Sequence, residues 1–124
     1  MNFTAAGALS GAVTVALGAL GAHGLKETLG PEGLELWQTA AHYQGLHAVA
    51  LVAFGIDASR RPLGGAIGWC FLVGSLFFSG SIYGLALDGP GALLGPITPI
   101  GGVLFIVGWL LWAWKALRAG TTQS

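Results

Sequence analysis

Five basic and five acidic side chains are spread along 124 residues so that four windows carry no charge at all, 2–25, 36–56, 62–87 and 89–114. Each is at least as long as the roughly 20 apolar residues with which a helix crosses a hydrocarbon core about 30 Å thick. The windows predict an all-α integral membrane protein, a four-transmembrane-helix antiparallel bundle. Its spans fall at about 4–23, 36–56, 63–87 and 98–117, in a single domain over 1–124. Charged residues make up 8% of the chain and the mean hydropathy is +0.74. A soluble domain carries about a quarter charged residues, so no stretch is left for one here.

The charges also set an orientation. With four spans, Arg60, Arg61, Lys115 and Arg118 share one side and only Lys26 lies on the other. Basic residues in short segments beside span ends stay inside, which predicts a multi-pass protein of the plasma (inner) membrane with both termini cytoplasmic. Trp37 and Tyr83 then fall near the outer interface, and Trp112 and Trp114 near the inner one. The first window reads as a retained span, because Met1 to Thr4 holds no Lys or Arg and no small-x-small site precedes His23. Net charge is zero, so nucleic acid is not an expected partner. The expected surroundings are the lipid bilayer and, since thin helices enclose little interior, other copies of the chain in a homo-oligomer.

Several boundaries carry their own signals. Pro31 after Gly30 fits the first position of helix two, and Thr98 before Pro99 fits an N-cap for helix four. In the first span Gly7, Gly11, Thr14, Gly18 and Gly21 recur at near-heptad spacing, which predicts one close-packing face, since helices in lipid associate through small residues. Cys70 has no second thiol and reads as a packed core residue.

Polar side chains inside spans are costly and mark sites of interest. In helix two Gln38, Thr39, His42, Tyr43, Gln44 and His47 occupy the outer half, and nothing polar follows from Ala48 to Ile56. In helix three the outer half holds Ser75, Ser79, Ser81 and Tyr83. His23 ends helix one and Thr98 begins helix four on the same side, and only Ser10 and Thr14 break the pattern. The candidate ligand-binding residues are therefore His23, Gln38, His42, Tyr43, Gln44, His47, Ser79, Ser81, Tyr83 and Thr98, forming an outward-facing polar cluster. A cluster confined to one half argues against an ion path across the bilayer.

His47 points about 140° away from His42 on the helix, so the two cannot share one small site. At midplane depth His47 is expected to stay neutral and to hydrogen-bond across helices, with Ser75 or Ser79 the expected partner. No acid–base pair, nucleophile elbow or haem-ligand pair is legible, and a metal held by His23, His42 and Glu35 at the outer rim is only a minor alternative, so a non-enzymatic protein without a metal or cofactor is expected. The cluster binds a small solute or lipid headgroup, or stabilises an assembly. The alternative is a subunit of an oligomeric small-solute or ion transporter or channel.

Four ordered motifs bear a resemblance. They are Gly18-Ala19-Leu20-Gly21-Ala22-His23-Gly24-Leu25, then Trp37-Gln38-Thr39-Ala40 with Tyr43-Gln44 and His47-Ala48, then Phe78-Ser79-Gly80-Ser81-Ile82-Tyr83, and finally Leu94-Gly95-Pro96-Ile97-Thr98-Pro99-Ile100-Gly101-Gly102 with Gly108-Trp109. Together they resemble the bacterial membrane family called domain of unknown function 423, which is similar to the eukaryotic transmembrane protein 256. The resemblance implies a four-span plasma-membrane protein and brings no activity, substrate or catalytic residue with it.

Overall fold

The computed structural model describes the backbone of residues 1–123 and side chains as far as Arg118, and among these residues it is helical with no strand. Helix α1 spans Phe3–Ala19, with the Asn2 side chain accepting from the Ala5 N–H at its start. It continues into a π turn over Leu20–Gly24. Helix α2 spans Lys26–Arg60, α3 Ala66–Ala86, the single turn α4 Gly91–Leu94, and α5 Ile97–Gln123.

Within α2 the chain breaks at Gly30, whose φ of 68° and ψ of 178° lie in a region open essentially to glycine alone. Pro31 restarts the helix at its first position, where its missing N–H costs nothing. The N-cap expectation for Thr98 is corrected: α5 begins at Ile97, two residues before Pro99, and the Thr98 hydroxyl turns back to Leu94 O at 3.4 Å.

Three stretches, Phe3–Gly24, Ala66–Ala86 and Gly91–Arg118, are long and apolar enough to cross a membrane. Helix α2 is the longest of all, but the polar run from Glu35 to His47 sets it apart from these three. Their outward surfaces are apolar: Val15 is 74% exposed, Leu76 68% and Leu110 65%. A patch of that kind is costly in water and ordinary in lipid.

Long helices that follow each other in sequence pack side by side, α1 on α2, α2 on α3 and α3 on α5. Ring contacts fix their relative directions. Phe3, at the start of α1, lies edge-on to Phe54 near the end of α2, at 5.7 Å, and to Trp69 near the start of α3, at 5.9 Å. At the far end of α5, the Trp112 indole donates to Asp57 at 2.9 Å and Lys115 Nζ to Leu63 O at 2.6 Å. Successive long helices therefore run in opposite directions, and the segments carrying Arg60, Arg61 and Lys115 meet at one end.

That end closes over the main core, built from Phe3, Ala50, Leu51, Phe54, Leu63, Ile67, Phe71 and Phe105. Close approach there depends on missing side chains. A Cβ at Gly101 would run into the backbone of Phe78, and one at Gly7 would sit 2.7 Å from Ala48 O.

The small-residue face of α1 is only half as expected. Gly7 and Gly21 pack tightly and Thr14 reaches toward Gly45, all on the α2 side, but a Cβ at Gly11 or Gly18 would meet nothing within 4 Å. A heptad step keeps 7, 14 and 21 in one seam, and the intervening 11 and 18 rotate out of it.

Candidate functional site

The structure sorts the polar residues of α2 and α3 into separate places, so the single outward-facing cluster is corrected. His23, Gln38 and His42 are exposed, while the partly exposed Tyr43 ring lies against Phe78 of α3 at 4.9 Å. The His42 ring rests against that of Tyr43 at 5.5 Å, and the Thr39 hydroxyl donates to Glu35 O within its own helix. His23, Glu35 and His42 do not converge: no three His, Cys, Asp or Glu side chains among the described residues come together as a metal site would require.

His47 is buried, and its surroundings are aromatic. Its ring stacks flat on Phe105, with centroids 3.5 Å apart and planes 5° from parallel, and leans on Phe71 at 5.5 Å. Trp109 Nε1 donates to His47 Nε2 at 3.0 Å, and the other ring nitrogen, Nδ1, lies 2.8 Å from Tyr43 O. An indole can only donate and a carbonyl can only accept, so the imidazole is neutral with its proton on Nδ1. The cross-helix bond is thus formed as expected, but to Trp109 of α5; neither Ser75 nor Ser79 is the partner.

Ser79 is buried and donates to Ala40 O at 2.8 Å, tying α3 to α2. Ser81 and Thr98 share a hydroxyl pair that ties α3 to α5. Trp37 is buried over Gly21 and donates to Leu17 O at 2.7 Å. Leu17 O lies beside the junction with the π turn, where the Leu20 N–H is shared between it and Ala16 O.

The remaining polar groups converge. Helices α1 and α3 touch at the Phe3 end and separate beyond it, leaving a crevice of about 280 Å³ with α2 as its floor. Ser10, Gln44, Ser75, Ser79 and Tyr83 give it its polar groups, and Leu17, Leu72 and Leu76 its apolar ones. Tyr83 Oη donates to Gln44 Oε1 at 2.7 Å, and Gln44 Nε2 reaches Ser10 Oγ at a long 3.4 Å. The Trp37 ring, edge-on to Tyr83 at 4.7 Å, backs this arrangement. Of the expected ligand-binding residues, then, Gln44, Ser79 and Tyr83 meet in one place. Ser10 and Ser75 join them. Ser10 had a visible signal, as one of two hydroxyls interrupting an otherwise apolar first span.

At the basic end, Arg61 Nε donates to Asp57 Oδ1 at 2.8 Å, its second nitrogen pairs with Oδ2, and Trp112 donates to the same oxygen. The Arg61 guanidinium, helped by Trp112, holds the Asp57 carboxyl below the usual aspartate range against the opposing effect of burial.

Fold and polar groups together define a helical membrane protein. The chain belongs to the family described as Protein of unknown function (DUF423), whose model matches residues 17–102. It is 46% identical over 110 residues to a UPF0382 membrane protein of Staphylococcus saprophyticus, covering 88% of this chain and 91% of that protein. The UPF0382 membrane protein YwdK of Bacillus subtilis is 37% identical over 112 residues, covering 88% of this chain and 90% of that protein. A UPF0382 membrane protein of Schizosaccharomyces pombe is 42% identical over 110 residues, covering 82% and 90%. No solved structure matches.

Proposed function

We propose that the chain is a non-enzymatic, four-span antiparallel bundle of the plasma membrane, with both termini cytoplasmic, that binds a small amphiphilic molecule in the crevice between α1 and α3. The observation that carries this reading is the crevice itself, where the side chains of Ser10, Gln44, Ser75, Ser79 and Tyr83 line about 280 Å³ of space between α1 and α3. Polar groups inside spans are costly unless they serve packing or a ligand. Helix α2 is the fourth span on this reading, its polar half turned partly into the crevice and partly outward. Its partners are bilayer lipids and further copies of the chain, with no nucleic acid.

The transporter alternative is disfavoured by what lies below the crevice. Phe3, Leu51, Phe54, Ile67 and Phe71 fill the basic end with buried apolar side chains and offer a solute no polar group to move along. Native mass spectrometry of the full chain released from mild detergent tests the binding reading. The wild type should retain a small-molecule adduct, and Ser75→Leu, which fills the crevice, should lose it while the protein stays folded. A wild type without adducts in any detergent that preserves the fold would sink it.

A further inference from the structure

Resting on the crevice being a binding site, we infer that its ligand is an uncharged, carbonyl-bearing lipid that enters sideways from the bilayer. Three features of the lining lead there: its charge, its hydrogen-bonding balance and its depth.

No charged side chain lines the crevice. A headgroup with a net charge would lose its hydration at this depth and find no counter-charge.

The lining keeps unused donors, and its two free hydroxyls keep lone pairs of their own; of the free groups only Gln44 Nε2 can donate and never accept. Tyr83 O–H is spent on Gln44 Oε1 and Ser79 O–H on Ala40 O. Ser75 forms no hydrogen bond among the described residues, and Ser10 Oγ there only accepts, from Gln44 Nε2. Two hydroxyl protons and one loosely held amide, whose reaches to Ser10 are 3.4 and 3.5 Å, thus face the same space. A carbonyl oxygen, with two lone pairs and no proton, satisfies more than one of them at once.

Depth narrows the class further. Ser75 lies about 14 Å along the roughly 30 Å length of α3. The ester carbonyls of bilayer phospholipids sit at the edge of a hydrocarbon core about 30 Å thick, on the order of 15 Å away. The ligand therefore carries its carbonyl to the middle of the bilayer with no charged group attached, as a lipid-borne quinone ring or a long-chain ketone does. The volume of about 280 Å³ suits a head the size of one substituted ring, at the small end of ligand pockets. The rim next to exposed Leu76 and Gly80 leaves the tail among lipid chains.

The test measures binding to the full chain in nanodiscs by native mass spectrometry, with four probes of matched chain length: a decyl-substituted benzoquinone, a long-chain ketone, the corresponding alcohol and an anionic phosphatidylglycerol. At least one of the two carbonyl probes should be retained, and both over the alcohol and the phospholipid if the shared chemistry suffices; retention of the quinone alone assigns the source to quinones. Ser10→Ala with Ser75→Ala, which leaves the volume open, should weaken carbonyl binding about tenfold while the thermal transition of the empty protein is unchanged. Preference for the alcohol or the phospholipid, or full carbonyl binding by the folded double variant, overturns the inference and leaves the binding site standing. Failure of every probe, together with no adduct on the wild type, removes the site as well.

Discussion

Trp109 Nε1 donates to His47 Nε2 at 3.0 Å, and that one bond decides which nitrogen of the imidazole carries the proton. With Nε2 accepting, Nδ1 must donate to Tyr43 O, so the ring joins α5 to α2 across the face of Phe105. Both nitrogens are used for structure, and neither points into the crevice. His47 is thereby a packing residue with a polar cross-link.

Trp109→Phe keeps the ring but leaves Nε2 without its donor, and should cost roughly 0.6 to 2 kcal/mol of stability. His47→Gln should cost less than His47→Leu, because an amide can still accept from Trp109. A double-mutant cycle between positions 47 and 109 should return a coupling energy of the same order. A cycle that closes at zero would show that the two side chains do not bond in the membrane.

The glycines of α1 give a sharp internal comparison. A Cβ at Gly7 runs into Ala48 O and the backbone of Val52, whereas Gly11 and Gly18 have open space. Gly7→Leu should therefore destabilise the folded chain by about 1 to 3 kcal/mol, the usual range for overpacking. Gly11→Leu and Gly18→Leu should leave monomer stability nearly unchanged. Chemical denaturation in one detergent checks all three, and equal losses would mean that the whole stripe is a contact face.

How much of this was legible from the chain depends on whether a feature is periodic or pairwise. Charge-free windows located the helices, because crossing lipid demands an uninterrupted apolar run, and the break at Gly30 with Pro31 beyond it was readable from backbone chemistry alone. The heptad of α1 announced a seam but not its width, since Gly11 and Gly18 share its spacing and not its neighbours. Depth along the helices points His47 to Ser75 or Ser79, whereas its donor is Trp109 on α5. Polar residues of one helix were read as one cluster, yet α2 splits them: Gln44 enters the crevice, His47 the aromatic core, and Gln38 and His42 the outer surface. Such a division depends on the azimuth of each neighbouring helix, which no single sequence encodes locally.

Asp57 provides a pH-dependent contact at the basic end. Its carboxyl is held below the ordinary aspartate value chiefly by the Arg61 guanidinium. A depressed value in the folded state means that the contribution to stability is present above the unfolded value of about 3.9 and is lost as pH falls through the folded one. Trp112, bonded to the same carboxylate, reports it directly. Trp112 emission should shift when pH drops below about 4 and stay flat between pH 5 and 8. Asp57→Asn should abolish that acid-side shift, and an unchanged shift in the variant would assign it to another group.

Orientation follows from the same end of the molecule. Arg61 is engaged by Asp57 and Lys115 by Leu63 O, so the α2–α3 loop and the Lys115 turn of α5 lie together at one end. Their basic residues outnumber the lone Lys26 at the opposite end, so on the proposed orientation the positive-inside rule predicts cytoplasmic termini. In a Cys70→Ala background, a cysteine introduced at Ser124, which lies outside the described residues, should resist a membrane-impermeant maleimide in intact cells and react after lysis. A cysteine replacing Asp88, in the α3–α4 turn, should react without lysis. Replacing Arg60 with Gln and Arg61 with Gln should increase labelling at position 124, because the orienting charge is reduced and the Asp57 pairing is lost. Ready labelling of position 124 in the otherwise unaltered chain would reverse the topology and place the basic end, with Trp112 and Asp57, on the outer face.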